Sequence, residues 1–278
     1  MMNKDIEAIL VVAGDDLYKL DIVSENLFKF TNISMISIIT NAPNEAKEIL
    51  PETKKIRILD EKKILSPLSK NLLSQYQAPG FPQRYFWYYQ QFLKMSYAFY
   101  CESDYYLIWD ADTILTREIS FFENGIPLYT EGKEKLNYEY ANTYEKIFNK
   151  KYLSQKSYIA QHMVINKNIM IKMIDELGGL QSLQHTILSN LSGKTNSQYS
   201  EYESYFNYLL SLELPYKIIK RNWFRYGASL FGFKPNKTDI SKLSKYYDYV
   251  AFEKFDRGLI KKIRAYLMHY YSILKGKK

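Results

Sequence analysis

Asp110 and Asp112 close the most core-like run of the chain: in YYLIWDADTILT, Tyr105 to Thr116, five large apolar or aromatic residues lead straight into two carboxylates separated by one alanine. Side chains alternate across a strand, so a strand continued through this triplet turns both acids to one side and Ala111 to the other. Acids bordering so apolar a segment cost free energy unless something pairs with them, which sets them apart from an ordinary solvated strand end or helix cap. Two carboxylates form half of a hard-cation site, and Mg²⁺ or Mn²⁺ held this way keeps positions open for substrate phosphates.

Three chemistries use such a pair. In a nucleotide-sugar glycosyltransferase the cation clamps the donor diphosphate and neutralises charge on the departing nucleoside diphosphate. In a phosphatase of the haloacid dehalogenase type Asp110 would attack phosphorus; here a long segment with strands of its own precedes the motif, and no G-D-x-x-x-D follows it. A glycosidase needs two carboxylates flanking a scissile bond, whereas neighbours on one strand face do not flank anything.

The elements around the acids read as alternating strands and helices. IEAILVVAG (6–14) suits a buried strand, after which Asp15 or Asp16 can cap a helix whose Leu17, Leu20, Val23, Leu27 and Phe30 recur at helical spacing. ISMISIIT (33–40) and KIRILD (55–60) read as further strands, with the turn NAPN and a short helix between them. RYFWYYQQFLKMSYAFYCE is long and free of Pro and Gly, which predicts a helix leading into the acid strand. Beyond the acids, FFENGIPLYTEGKE has turn chemistry, SYIAQHMVINKNIMIKMIDELGG reads as a strand and a helix stopped by Gly178 and Gly179, and YKIIKRNWF suggests one more strand. This order predicts an α/β fold with a mainly parallel sheet covered by helices on both faces, whose strands present ligand sites at their carboxyl ends.

The segment FWYYQQFLKMSYAFYCESDYYLIWDADTIL, with FFENGIPLY, QHMVINKNIM and SEYESYFNYL after it, resembles a bacterial glycosyltransferase family. Its members combine a Trp-Tyr-x-Gln-Gln-x-x-Lys helix, a D-A-D-T strand and a Ser-Glu-Tyr-Glu helix, and the likeness covers residues 81 to 212. It implies a GT-A fold, a nucleoside-diphosphate sugar donor, Mn²⁺ or Mg²⁺, and a glycan or lipid-linked acceptor of a bacterial surface polysaccharide. Carried over, Asp112 becomes the direct metal ligand and Asp110 touches the cation or the donor ribose. Gln90, Gln91 and Lys94 fall on the donor side, with Lys94 reaching sugar or diphosphate. Glu201 and Glu203 become candidates for orienting or deprotonating the acceptor hydroxyl, Glu203 ahead, although acids in a first turn also favour the helix dipole, and Ser200 or Ser197 can cap that helix. His162, interrupting an apolar strand, is a candidate acceptor contact or third metal ligand; a satisfied core histidine is the competing reading. Fold logic alone sets Ala13 and Gly14, at the end of the first strand, against the nucleotide.

The net charge of +8 suggests nucleic acid until it is located. Seven basic residues and no acid lie between Arg257 and Lys278, leaving +1 for the 256 residues before them. The chain therefore divides into a 1–256 catalytic domain and a basic 257–278 segment, with no nucleic-acid motif accompanying the charge. In that segment Ile260, Ile263, Leu267, Tyr270 and Leu274 draw one apolar stripe along a helix, which either docks on the domain or lies in an anionic membrane interface. The single cysteine, Cys101, excludes an internal disulfide. Asp5 and Glu7 sit where a secretory signal would be basic or apolar, so the expected place is the cytoplasm, at the inner face of the cell membrane. The 27 tyrosines exceed what packing requires, so many rings are expected along a surface or cleft, with an AT-rich base composition as the plainer explanation. A nucleotide-sugar-binding protein without turnover is the non-enzymatic alternative.

Overall fold

The structure, a computed structural model, describes residues 6–253 and 259–275, with the backbone alone for residues 259–261 and 275. The boundary expected between residues 256 and 257, and the side chain of Ile260, lie outside the described residues.

Five strands form the central sheet in the order β3-β2-β1-β4-β8. β1 (Ile6–Val12), β2 (Ile33–Thr40), β3 (Ile56–Asp60) and β4 (Tyr105–Trp109) run parallel. β8 (His162–Asn166) pairs with β4 in the opposite sense, Trp109 facing His162 and Tyr105 facing Asn166. Strands that carry apolar side chains on both sides belong in the middle of a layered α/β fold, and here the alternation sorts them cleanly. Ile9, Tyr106, Ile108, Met163 and Ile165 join the core beneath the helix Tyr85–Ser96, whereas Ala8, Leu10, Leu107, Trp109 and Val164 join the core beneath the helix Leu20–Phe30. The molecule is therefore a mixed α/β protein with a mainly parallel sheet and helices on both faces. No described helix is long and apolar enough to cross a membrane.

Two small sheets extend the body. β5 (Thr113–Leu115) runs antiparallel to β11 (Tyr249–Ala251), which lies parallel to β10 (Trp223–Phe224). β6 (Phe122–Glu123) and β7 (Ile126–Thr130) form a hairpin whose Asn124 and Gly125 both take positive φ, 53° and 77°, as a two-residue turn of this hand demands. β9 (Lys217–Ile219) adds to β7, so YKIIKRNWF supplies two short strands in different sheets rather than one. The first turn after β1 also differs from expectation. Residues Gly14–Lys19 form a 3₁₀ helix whose N-cap is Ala13, and neither Asp15 nor Asp16 caps it.

The tyrosines mostly fill the interior. Tyr85, Tyr88, Tyr97, Tyr106, Tyr129, Tyr144, Tyr199, Tyr205, Tyr208, Tyr247 and Tyr249 stand beside Trp109 as the largest fully buried side chains, so the expectation of ring-lined surfaces does not describe them. One of them closes a buried polar knot at the amino end of the sheet. Glu7, 2% exposed, accepts from the Tyr97 hydroxyl at 2.7 Å and from the backbone N–H groups of Glu102 and Ser103 at 2.9 and 2.8 Å, with the Arg57 guanidinium at 3.5 Å. Deleting this carboxylate strands several donors at once. Glu7→Ala should lower unfolding stability by about 3 kcal/mol, read by urea denaturation, and Glu7→Gln by less.

Candidate active site

β1, β2 and β3 are laid down outward in one direction, and the chain then returns to place β4 on the other side of β1. The gap between the carboxyl ends of β1 and β4 is the switch point where open α/β sheets bind ligands. Ala13 and Gly14 leave β1 there, and Asp110 leaves β4 there. The Gly14 N–H donates to Asn41 Oδ1 at 2.9 Å, pinning this loop to the end of β2.

Asp110 continues the alternation of β4, emerging on the Ile108 side beneath the helix Tyr85–Ser96. That helix offers Lys94, whose Nζ donates to Asp110 Oδ1 at 2.7 Å and to Glu201 Oε1 at 2.9 Å. The Tyr202 hydroxyl donates to the same Asp110 oxygen at 2.9 Å, and the Lys94 ammonium lies 4.9 Å from the Tyr202 ring. Burial alone would lower the pKa of Lys94; the two carboxylates, Asp110 first, overcome this and hold it above the ordinary lysine range. Burial likewise pushes Glu201 upward against the opposing pull of Lys94. Desolvation, then Asp110, keeps the Tyr202 phenol protonated and a donor.

Among the described residues Asp112 has no such counter-charge in contact. The strand ends at Trp109, and Asp110, Ala111 and Asp112 form a turn closed by the Thr113 N–H to the Asp110 carbonyl at 2.9 Å. The two acids therefore share a location through this turn and not through strand alternation, which corrects the expectation. Burial first, and Asp110 second, push Asp112 up to about 6. Its one described side-chain hydrogen bond is from the Thr113 hydroxyl at 3.3 Å, and among the described residues none donates to Oδ2 of either aspartate. Lys19, 2% exposed, adds positive potential from nearby while its ammonium donates to the Phe252 carbonyl at 3.2 Å and pairs with Asp16 at 3.6 Å.

These donor-free carboxylate oxygens fit a hard cation bound by one or two protein ligands. Among the described residues no group of three or more His, Cys, Asp or Glu is arranged to hold a metal.

The other expected residues separate into those near the acids and those turned away. Gln90 sits one turn before Lys94 on the same helix, half-buried. Gln91 is buried, and its oxygen accepts the Glu201 N–H at 3.0 Å while its amide donates to the Trp87 carbonyl at 3.3 Å, so it fastens two helices and is not free to bind a donor. On the helix Glu201–Leu210, capped by Ser200, Glu201 turns to Lys94, whereas Glu203 turns away. Glu203 accepts from the Tyr152 hydroxyl at 3.0 Å and the Tyr158 N–H at 3.1 Å. A carboxylate 1% exposed and spent on that loop cannot serve an acceptor hydroxyl, which corrects the order expected between the two. His162 is a core residue: Nδ1 meets the Ala160 carbonyl at 3.0 Å, Nε2 meets the Thr130 hydroxyl at 3.2 Å, and burial, then Arg221, push it down to about 3. With both ring nitrogens engaged, it has none left for a metal or an acceptor.

Residues that sequence reading missed complete the surroundings. Besides Lys19 and Tyr202, Gln161 holds a left-handed backbone, φ 66°, and its carbonyl accepts the Asp110 N–H at 2.9 Å. Strain of this kind gathers at functional sites. Its side chain accepts from the Thr113 hydroxyl at 3.3 Å and donates to Glu253 at 3.1 Å, and Glu253 takes the Arg225 guanidinium at 2.9 Å. Arg225 also pairs with Glu134. Glu134 lines a cleft of about 320 Å³ together with Glu131, Lys135, Tyr138, Gln155 and Lys156. Because β7 ends at Thr130 against His162, which faces Trp109, the cleft begins at the same end of the sheet as the acids. A second cavity of about 220 Å³, bounded by Tyr105, Asn166 and Tyr205, lies at the opposite end of β4 and has no charged residue in its lining.

Fold and site together define a mixed α/β protein with an acidic centre at the switch point of its parallel sheet. The chain belongs to a protein family described as a family of unknown function (DUF6492), whose model matches residues 3–229. A comparison with curated proteins found no match.

Asp112 carries its charge at a cost, since its folded pKa lies above the unfolded value. That cost is absent near pH 4 and complete once the pH has risen past about 6. Asp112→Asn should therefore raise stability at pH 7.5 by roughly 1–2 kcal/mol, and by much less at pH 4.5. Lys94→Met leaves Asp110 and Glu201 uncompensated and should cost about 3–5 kcal/mol, part of it recovered in the Lys94→Met/Glu201→Gln double variant, as a double-mutant cycle by chemical denaturation would read.

Proposed function

We propose that the protein is a metal-dependent glycosyltransferase of GT-A type that moves a sugar from a nucleoside-diphosphate donor to a bacterial surface glycan or lipid-linked acceptor. One observation carries the reading: Asp112 stands at the β1/β4 switch point, half-buried and with its carboxyl pushed up to about 6, beside an Asp110 whose Oδ2 accepts from no donor among the described residues. Such a pair gains from a divalent ion and a pyrophosphate, and the likeness of the Trp-Tyr-x-Gln-Gln-x-x-Lys, D-A-D-T and Ser-Glu-Tyr-Glu segments to glycosyltransferases supports the same chemistry.

In this reading Asp112 and the outer oxygen of Asp110 hold Mn²⁺ or Mg²⁺. When bound, that ion would supply a Lewis acid for the negative charge of the departing diphosphate. Ala13 and Gly14 offer backbone to the nucleotide, and Lys19 adds positive charge beneath the phosphates. Lys94, Glu201 and Tyr202 are positioning residues that hold Asp110 in one orientation without meeting the substrate themselves. The acceptor takes the 320 Å³ cleft, where Tyr138, 76% exposed, presents a ring to a sugar face. The proposed place of work is the cytoplasmic face of the cell membrane, where nucleotide sugars and lipid-linked acceptors meet.

The test is release of nucleoside diphosphate from a panel of nucleotide sugars, with Mn²⁺ or with EDTA. Turnover should require the metal and fall by about 10²-fold or more in Asp112→Ala while the circular dichroism spectrum stays unchanged. Absence of metal-dependent turnover with every donor, together with donor-induced thermal stabilisation, would leave the binding-protein alternative. Phosphate release from simple phosphomonoesters, abolished in Asp110→Asn, would replace the reading with a phosphatase.

A further inference from the structure

The helix Leu259–Lys275 follows the body of the chain and leans on it by one side only. Ala265 is fully buried, and His269 packs among the Phe224, Phe231, Tyr246 and Tyr247 rings, its Nδ1 3.0 Å from the Tyr247 hydroxyl. The apolar stripe read in the sequence is not the docked side. Ile263, Leu267, Tyr270 and Leu274 are 53, 66, 61 and 48% exposed, and Tyr266 and Tyr271 flank them in solvent.

At about 100° per residue these four side chains share a narrow arc, and the Ala265–His269 side lies nearly opposite. Exposed Lys262 and Arg264 stand on either side of the arc, and the stretch Arg257–Lys278 contributes seven basic residues and no acid. A helix with an outward apolar ridge, tyrosines beside it and cations at its shoulders has the layout of one lying in a lipid interface. There, apolar atoms enter the acyl boundary, while ammonium and guanidinium groups reach phosphate. A second copy of this chain would bring the same basic shoulders against each other, so charge favours an anionic partner.

We infer that this ridge is a docking surface for an anionic phospholipid bilayer, with the protein body held above the lipid by the Ala265–His269 side. The inference stands apart from the enzymatic reading, since lipid binding needs neither donor nor acceptor.

Co-sedimentation of the full chain with vesicles tests it. The chain should bind vesicles of equimolar phosphatidylglycerol and phosphatidylcholine, bind phosphatidylcholine vesicles far more weakly, and lose affinity as salt rises. Leu267→Glu should reduce binding by about tenfold or more, and Lys262→Glu/Arg264→Glu should remove the preference for anionic lipid. All three positions are exposed, so folding should be unaffected, with melting temperature as the control. Failure to bind anionic vesicles, or binding that Leu267→Glu and Tyr270→Glu leave unchanged, would overturn the inference. So would a dimer in light scattering that Leu267→Glu dissociates while the wild-type chain ignores lipid, because the ridge would then belong to a second copy.

Discussion

A single buried ammonium organises this protein. Lys94, 6% exposed, sits between Asp110 at the end of β4 and Glu201 at the start of another helix, and the three groups are mutually dependent. In a low-dielectric interior the ammonium offsets the desolvation of both carboxylates, and removing it strands the two of them together. The same helix also sends Gln91 to the Glu201 N–H, so residues three apart grip one helix terminus by its backbone and by its side chain. The Trp-Tyr-x-Gln-Gln-x-x-Lys and Ser-Glu-Tyr-Glu segments are thus two halves of one device that fixes Asp110, and Asp112 is left beside it as a charge that no cation among the described residues contacts.

Much of the scaffold was legible because local signals agreed. β2 runs over the predicted 33–40, since its Ile and Met residues lie between Thr31-Asn32 and the turn Asn41-Ala42-Pro43-Asn44. The helix before the acids begins at the predicted place but ends at Ser96, a 3₁₀ turn carrying on to Phe99 short of the expected Glu102, and Gly178 and Gly179, with φ of 90° and 82°, stop the helix Lys167–Glu176. What escaped needed a third dimension. Glu201 and Glu203 look equivalent in sequence, and only the rotation of their helix against the sheet decides that one meets Lys94 while the other braces the 152–158 loop. Lys19 reads as an ordinary basic residue early in an amphipathic helix, yet the fold buries it beside Phe252, more than two hundred residues on. Arg225, Glu253 and Gln161 come together through three separate loops, which no spacing rule anticipates.

The tyrosines show the same limit from another side. Composition could not tell a ring-lined cleft from a ring-filled core. The fold uses these residues as apolar bodies with polar tips: Tyr85 meets Gln184 at 2.6 Å, Tyr106 the Lys94 carbonyl at 3.0 Å, Tyr205 the Asn166 N–H at 2.7 Å and Tyr249 the Ala160 carbonyl at 2.9 Å. Three of these bonds tie one element to another and the fourth ties β11 to the loop before β8. Such directional contacts select one arrangement of layers over others of similar apolar area.

The antiparallel direction of β8 has a consequence for how the two sides of the acidic centre can change. Four strands exit toward it and one enters from it, so one wall is made of chain departing the sheet and the other of chain arriving. Gln161 is the hinge-pin between them, bonded by its carbonyl to the Asp110 amide. Insertions or deletions upstream of Ala160 can remodel the arriving wall while the departing one keeps its register, a modular layout in which one side of the centre varies and the other is kept.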